Sequence, residues 1–228
     1  MRIATYNVRV ADGGKSIEGI AKEFKSCGAD IIGIQELDLN VKRCENIDVL
    51  KLLSEKSGYK NYHFFPTIPL QGGYYGIGIL SKNPILNISI YKYLCPNLEQ
   101  RALGVITVEI NGKTINFFNT HLSYENFEVR SKQFKLIQDI VKENIPYIIT
   151  GDFNVKTFEE FNAIKDCTFA NTQDNPFITF KGDNSNKNEF YSIDNIVASK
   201  EFKIIHAEVS PSEYSDHEML IADIEFNK

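Results

Sequence analysis

The sequence predicts an α/β fold in which two sheets pack face to face and helices cover their outer surfaces. Two features of the 228-residue chain indicate this: strands and helices alternate near its start, and a series of consecutive strands then precedes one long helix and the final strands. Because many neighbouring strands are joined by short turns, the sheets are expected to be mixed and largely antiparallel.

The first elements alternate between strand and helix. Residues 3–8 form an apolar strand, and the apolar stripe of residues 16–27 predicts a helix that ends at Gly28. The wholly apolar run at 31–34 is typical of a strand buried on both faces. Residues 46–57 predict a second helix.

Strands dominate the middle of the chain. The pair Asn111-Gly112 lies between two of them and is a strong signal for a two-residue hairpin. The predicted strands of this region are residues 62–65, 75–80, 85–94, 102–110 and 114–120.

The longest helix is predicted at residues 127–143, and an apolar strand at 147–150 follows the break at Pro146. Residues 158–164 predict a short helix. The segment at 181–188, KGDNSNKN, is the most polar stretch of the chain and indicates a mobile loop. The closing strands are predicted at residues 192–198, 202–209 and 219–226.

Composition favours a packed, acidic protein. Hydrophobic residues make up 43% of the chain, and the formal net charge is -5, which argues against a general nucleic-acid coat but not against a local basic groove. The sequence shows neither an apolar leader nor a run of 18 apolar residues, so a cytoplasmic protein is expected. Without a repeat or a linker, residues 1–228 are expected to form a single domain, and we expect a monomer.

The cysteine pattern gives no sign of a zinc site. Cys27, Cys44, Cys95 and Cys167 form no C-x-x-C pair and have no histidine at zinc-finger spacing. We interpret them as neutral thiols in a reducing compartment.

Six short segments each end in a residue that can hold a metal ion or a phosphate. At least four of them follow a strand-like apolar run, so one polar site built from several strand ends is predicted. The mixture of Asn, Glu, His and Asp suits a hard cation and a phosphate ester undergoing hydrolysis. The segments are TYN at 5–7, IQE at 34–36, NTH at 119–121, GDFN at 151–154, IDN at 193–195 and SDH at 215–217.

Each of these segments also has an ordinary structural interpretation. Glu36 is either a metal ligand or a surface acid at the end of a strand. Asp152 and Asn154 point to the same side of an extended chain and can hold a water, or they belong to a common turn. His121 is either a site residue or a strand-end histidine bonded to backbone.

The pair formed by Asp194 and His217 suits phosphate chemistry. Asp194 lies in an apolar strand, and a buried carboxylate beside an imidazole raises the imidazole pKa, which keeps a positive charge ready for the developing phosphorane. The remaining candidates are arginine forks for phosphate and a ring for stacking, although most arginines are solvated and most strand aromatics are core. These candidates are Arg9, which leads, with Arg43, Arg101 and Tyr124.

Taken together, the six segments resemble the endonuclease/exonuclease/phosphatase superfamily, which includes abasic-site endonucleases, DNase I, neutral sphingomyelinases, inositol polyphosphate 5-phosphatases and deadenylases. The resemblance rests on G-D-F-N, T-H-L and a terminal S-D-H in this order, and it extends over residues 5–217. It implies a four-layered, DNase I-like α/β sandwich and phosphoester hydrolysis that depends on Mg²⁺ or Mn²⁺.

The resemblance also implies roles for individual residues. Glu36 resembles the principal metal ligand, with Asn7 beside it, and Asp216 matches an acid that helps to hold the metal. Asp152 matches the residue that orients or deprotonates the attacking water, with Asn154 close by. Three further residues match positions that contact the phosphate: His121, Asp194 and His217.

Two departures favour one side of the superfamily. Where the abasic-site nucleases carry an acid two positions after the Asn, this chain has Arg9, and where they carry Tyr it has His121. Both features resemble the phosphatases, deadenylases and sphingomyelinases. We therefore expect a phosphatase or phosphodiesterase acting on a small phosphorylated molecule or lipid headgroup. The alternatives are a nuclease acting on DNA or RNA and an inactive binding scaffold of the same fold.

Overall fold

The computed structural model describes residues 1–182 and 191–227. Most of the polar segment predicted as a loop at 181–188 therefore lies outside the described residues. The described strands, in chain order, are β1 (Arg2–Asn7), β2 (Ile31–Leu39), β3 (Asn61–Leu70), β4 (Gly73–Ser81), β5 (Ile85–Lys92), β6 (Ala102–Ile110), β7 (Lys113–His121), β8 (Tyr147–Asp152), β9 (Cys167–Phe169), β10 (Asp194–Ser199), β11 (Phe202–Ser210) and β12 (Met219–Phe226). The α-helices are α1 (Ile17–Cys27), α2 (Val49–Ser57) and α3 (Phe127–Val141).

The described strands form two six-stranded sheets. The first has the order β11-β12-β1-β2-β4-β3, and the second has the order β5-β6-β7-β8-β10-β9. In the described chain, β1 pairs with β2 and β7 with β8 in parallel, and the other pairings are antiparallel. The expected mixed, largely antiparallel sheets are confirmed.

The sheets pack face to face over an apolar core. Ile3 of β1 and Ile148 of β8 are fully buried members of that core, and each such side chain contributes about 1.5–3 kcal/mol through its removal from water. A second core lies where α1 and α2 cover the first sheet, and a third lies where α3 covers the other. The four-layered sandwich is therefore confirmed. None of the described helices has the length and apolarity needed to cross a membrane.

Some elements differ from their predicted bounds. The strand predicted at 31–34 continues to Leu39 through a β-bulge, because residues 37–39 keep pairing with β4 after the pairing with β1 ends at Gln35. The helix predicted at 46–57 begins at Val49, where the Asp48 side chain caps it by accepting the Lys51 N–H. Strand β9 was not predicted, since three residues carry no readable alternation.

The two-residue hairpin turn predicted at residues 111–112 is present. Asn111 and Gly112 have φ angles of 53° and 74°, the left-handed conformation that a tight two-residue turn requires.

All four cysteines are free. Burial raises the pKa of Cys44 and of Cys167 to about 12, so both are neutral thiols near pH 7.

A buried amide network joins the two sheets. Asn119 of β7 donates from Nδ2 to the backbone oxygens of Ile34 and Gly78 in the facing sheet, at 2.8 Å each. Its Oδ1 accepts from Gln35 Nε2 at 2.7 Å and from Thr150 Oγ1 at 3.2 Å. Every one of these side chains is fully buried. The network sets the position of one sheet relative to the other at the strand ends.

The close approach of the sheets requires glycine at position 33. A Cβ on Gly33 would lie 1.9 Å from Thr150 Oγ1 and 2.8 Å from Asn119 Oδ1. We expect Gly33→Ala to lower the free energy of unfolding by about 2 kcal/mol or more, because overpacking forces the sheets apart. Urea denaturation measures this loss.

The double variant Gly33→Ala/Thr150→Ala is the matched control, since it removes the hydroxyl that the new methyl group meets. It should lose less stability than the sum of the single variants. Strictly additive losses would show that the clash with Thr150 is not the cause.

Candidate active site

The six polar segments meet at one end of the sandwich. Strands β1, β7 and β8 end there, and β10 starts there. Strand β2 reaches the same end at its bulge, and the segment that precedes β12 also lies there. A cleft of about 310 Å³ opens at this end. Eight of the candidate site residues line it: Glu36, Arg101, His121, Tyr124, Asp152, Asn154, Asp216 and His217.

A strained bulge aims Glu36 at the cleft. The register between β2 and β4 shifts between Ile34 and Leu37, and Glu36 adopts a left-handed backbone with φ 57°. Such a conformation costs a non-glycine residue about 1–2 kcal/mol. The bulge turns the carboxylate out of the strand's alternation and towards the other site residues.

Asn7 links two of the carboxylates. Its Nδ2 donates to Glu36 Oε1 and to Asp152 Oδ2, at 3.0 Å each. Its Oδ1 accepts the Arg9 N–H at 3.0 Å. Asn7 therefore presents its nitrogen, and not its oxygen, to the acidic side of the cleft.

Asp152 is a buried carboxylate held from both sides. Its Oδ1 accepts the Asn154 N–H at 3.0 Å, and its Oδ2 accepts from Asn7. Burial, together with the negative charge of Asp194, raises the pKa of Asp152 to about 7. Asn154 has a left-handed backbone and donates its side-chain amide to Leu122 O at 3.0 Å, which fixes the turn after β8.

Asp194 and His217 form a close pair. His217 Nδ1 lies 2.9 Å from Asp194 Oδ2, and its Nε2 lies 3.7 Å from Asp152 Oδ2. Burial alone would lower the pKa of His217, but the carboxylate of Asp194, supported by Asp152 and Asp216, raises it to about 10. His217 is therefore an imidazolium at neutral pH.

His121 is neutral, whereas His217 is cationic. Its Nε2 lies 3.4 Å from Asp152 Oδ2, yet burial, followed by the positive charges of Arg101 and His217, holds its pKa well below the usual value. The buried Nδ1 has no hydrogen-bond partner among the described residues. The cleft thus contains one neutral and one cationic imidazole.

Arg101 lines the cleft and is 5% exposed. From the sequence, Arg9 was the stronger candidate of the two. Arg101 Nη2 lies 3.1 Å from Glu99 Oε1, while the Nε and Nη1 of Arg101 are buried and find no hydrogen-bond partner in the described chain. A buried guanidinium with unpartnered donors suits an anion. Lys156 and Phe180 also line the cleft, and no sequence signal pointed to either.

The predicted substrate-binding residues lie in different places. Tyr124 lines the cleft with 60% of its surface exposed. Arg9 is not among the lining residues, but its Nε lies 3.5 Å from Oδ2 of Asp216, which lines the cleft. Arg43 does not line the cleft, because its fork binds the buried carboxylate of Asp38 at 2.7 and 2.9 Å.

A family model described as the Endonuclease/Exonuclease/phosphatase family matches residues 4–217. The chain belongs to this family. The structure of a family member from Beutenbergia cavernae superposes with a TM-score of 0.82 at 19% identity, over 99% of this chain and 71% of that one.

Two further solved structures share the DNase I-like family fold. A mannosyl-6-phosphatase from Bacteroides thetaiotaomicron superposes with a TM-score of 0.76 at 19% identity, over 99% of this chain and 100% of that one. The human Nocturnin catalytic domain with bound sulfate anion gives 0.75 at 22% identity, over 100% and 93%.

Negative charge is concentrated in the cleft of the present protein. Glu36, Asp152 and Asp216 line it, and Asp194 lies behind with a buried Oδ1 that has no hydrogen-bond partner among the described residues. Potential ligand atoms of Asp152, Asp194 and His217 lie within 4.8 Å of one another. The ring nitrogens of His217 face the carboxylates of Asp194 and Asp152, at 2.9 and 3.7 Å, and a hard cation prefers oxygen ligands, so the carboxylate oxygens are the better donors.

The charge state of His217 depends on Asp194. Because the folded-state pKa of about 10 lies above the ordinary value of about 6.5, this imidazolium stabilises the fold fully below pH ~6.5, and the contribution is lost as pH rises through 10. We expect Asp194→Asn to lower the pKa of His217, and NMR titration of its ring protons in the metal-free protein measures the change.

Asp223→Asn is the matched control, because it removes a carboxylate that pairs with Arg2 and does not line the cleft. The His217 titration in this variant should match that of the wild type. An unaltered His217 titration in Asp194→Asn would show that the pair does not control the charge.

Proposed function

We propose that this protein hydrolyses phosphoester bonds with the help of a bound divalent cation, Mg²⁺ or Mn²⁺. The observation that carries the proposal is the geometry of one cleft, in which the buried carboxylate of Asp152 lies 3.7 Å from Nε2 of His217 while Nδ1 of His217 lies 2.9 Å from Asp194 Oδ2. A base and a cation at adjacent positions suit attack by water on a phosphate.

The excess of carboxylates over cations in the cleft fits a hard divalent ion. We assign the ion to the oxygens of Glu36 and Asp216, both of which line the cleft. A bound Mg²⁺ or Mn²⁺ would neutralise phosphate charge and stabilise the leaving oxygen. Asn7 supports Glu36 through its amide nitrogen, so its role is to hold the ligand in place.

Asp152 is the proposed base for the attacking water. A base works best when its pKa is near the working pH, and the pKa of about 7 meets this condition. The Asn7 amide and the Asn154 N–H hold its two oxygens in a fixed orientation. Asp152 would take the proton of the water as the water oxygen attacks phosphorus.

Positive charge and polar donors stabilise the negative transition state. The Asp194 carboxylate holds His217 as a donor towards the phosphoryl oxygens. Arg101 adds buried guanidinium nitrogens, and neutral His121 adds a polar ring nitrogen without adding charge. Because these groups are already fixed in a buried site, little reorganisation is needed during reaction.

A small phosphorylated molecule or a lipid headgroup is the proposed substrate class. The net charge of -5 supports this over a nucleic-acid backbone. One relative is a mannosyl-6-phosphatase, and another holds sulfate, an anion shaped like phosphate. Free cysteines support a reducing, cytoplasmic location.

Hydrolysis of p-nitrophenyl phosphate and bis-p-nitrophenyl phosphate with Mg²⁺ or Mn²⁺ tests the function. Release of nitrophenol from the first identifies a phosphatase, and release from the second identifies a phosphodiesterase. No release from either, with either metal, would favour the inactive scaffold.

Glu36→Gln should nearly abolish metal-dependent turnover while the fold is retained. The amide is isosteric but lacks the charge that binds a hard cation. Calorimetric titration with Mg²⁺, alongside the rate and the urea midpoint, measures both effects. Glu55→Gln is the control, because this exposed acid lies on α2 outside the cleft. Equal metal affinity in Glu36→Gln and wild type would contradict the ligand assignment.

Asp152→Asn should lose catalysis and keep product binding. Removal of a base typically costs ~10²–10⁴-fold in rate, while the loss of a negative charge beside the phosphate favours product binding. Measurement of kcat and of phosphate affinity separates the two roles. Asp139→Asn on the exposed face of α3 is the matched control. If kcat stays at the wild-type level and KM alone rises, Asp152 is a binding residue.

A further inference from the structure

We propose that a second groove beside the cleft binds the organic group of the substrate and selects an aromatic ring. The groove lies between the start of α3 and residues 156–163, which include a short 3-10 helix at Phe158–Ala163 where the sequence predicts a short helix. This inference rests on the proposed phosphoester hydrolysis, which places the phosphate in the cleft and leaves the rest of the ester to be accommodated.

The groove is continuous with the cleft. Tyr124 and Lys156 line both cavities, so a group attached to a phosphate in the cleft reaches the groove directly. Its volume of about 660 Å³ exceeds the cleft's volume of about 310 Å³. The groove therefore has room for a larger substituent than the cleft does.

Aromatic side chains form the groove's apolar surface. Tyr124 and Phe127 are 60% and 59% exposed, although rings of this size usually bury most of their area. The buried ring of Phe134 lies beneath them. Exposed rings next to a catalytic cleft favour another ring as the occupant, because aromatic pairs gain energy beyond the burial of area.

The charged groups in the groove floor neutralise each other. Arg130 donates from Nε and Nη2 to the Glu160 carboxylate at 2.8 and 2.9 Å, and both residues are buried. Glu160 also accepts the Lys156 N–H at 2.7 Å. The other acids that line the groove are Glu125 and Glu159, and the buried Oε2 of Glu125 has no hydrogen-bond partner among the described residues. These carboxylates disfavour an anionic substituent, so the groove fits a group without negative charge.

Lys156 supplies charge at the junction. Its side chain is exposed, and in the described part of the chain no carboxylate pairs with its ammonium group. A cation between the two cavities matches an anionic phosphate in one and a neutral ring in the other. The groove therefore distinguishes esters by the ring that follows the phosphate.

Three esters with leaving alcohols of similar acidity test the selection: n-propyl phosphate, 3-phenylpropyl phosphate and 3-cyclohexylpropyl phosphate. With Mg²⁺ present, kcat/KM should be about tenfold or more higher for the phenyl ester than for the propyl ester. The phenyl ester should also exceed the more hydrophobic cyclohexyl ester. Equal rates for the two ring esters would overturn the aromatic selection.

Two variants change the groove without touching the carboxylates. Phe127→Ala should lower the ratio of phenylpropyl to propyl kcat/KM about two- to tenfold. Ala163→Phe should lower the same ratio by filling the groove. Leu86→Ala is the control, because this residue is 61% exposed on edge strand β5 and lines neither cavity. An unchanged ratio in both groove variants would exclude the groove.

A binding experiment separates this inference from the proposed function. In the Asp152→Asn protein, 3-phenylpropyl phosphate should shift the backbone amide NMR signals of Phe127 and Ala163, and n-propyl phosphate should not. Absence of these shifts would overturn the groove assignment. If the shifts occur while wild-type protein hydrolyses none of the three esters, the groove stands and the proposed hydrolysis fails.

Discussion

The two sheets are locked together at the active end by the side chain of Asn119. Its amide bridges from β7 to backbone oxygens on β2 and β4, and it receives Gln35 from the facing sheet. Because buried polar groups must be satisfied, a slip of one sheet would leave several of them unpaired. Two residues beyond Asn119 along β7 lies His121, and one beyond Gln35 lies Glu36. The same network that fixes the sheets thus fixes the site.

Because the fold brings the site residues together, several charged groups share one buried space. Folding brings Asp152 and Asp194 together in a buried space, and this raises the pKa of Asp152 and protonates His217. His121, a short distance away, stays neutral because burial lowers its pKa and because Arg101 and His217 already supply positive charge. The left-handed backbone of Glu36 adds conformational cost. The site is therefore assembled at the expense of stability, which the three apolar cores supply.

The fold was largely predictable because it depends on local pattern. Apolar periodicity located every α-helix and all the described strands except β9, and Asn111-Gly112 fixed one hairpin. Motif order identified the family and its sandwich. The bulge that extends β2 through Glu36 was not predictable, because it follows from continued pairing with β4 beyond Gln35, where the pairing with β1 ends. The single domain and the monomer remain predictions.

The sequence by itself determined which residue types stand at the strand ends, because strand periodicity and turn chemistry are local properties. Tertiary structure decided how they are used. It engaged Arg43 with Asp38, turned the Asn7 nitrogen towards the carboxylates, and brought Arg101 into the cleft. It also placed a groove beside Tyr124. These outcomes depend on contacts between residues that are far apart in the chain. They also depend on burial, which sets how strongly the charges of the site interact.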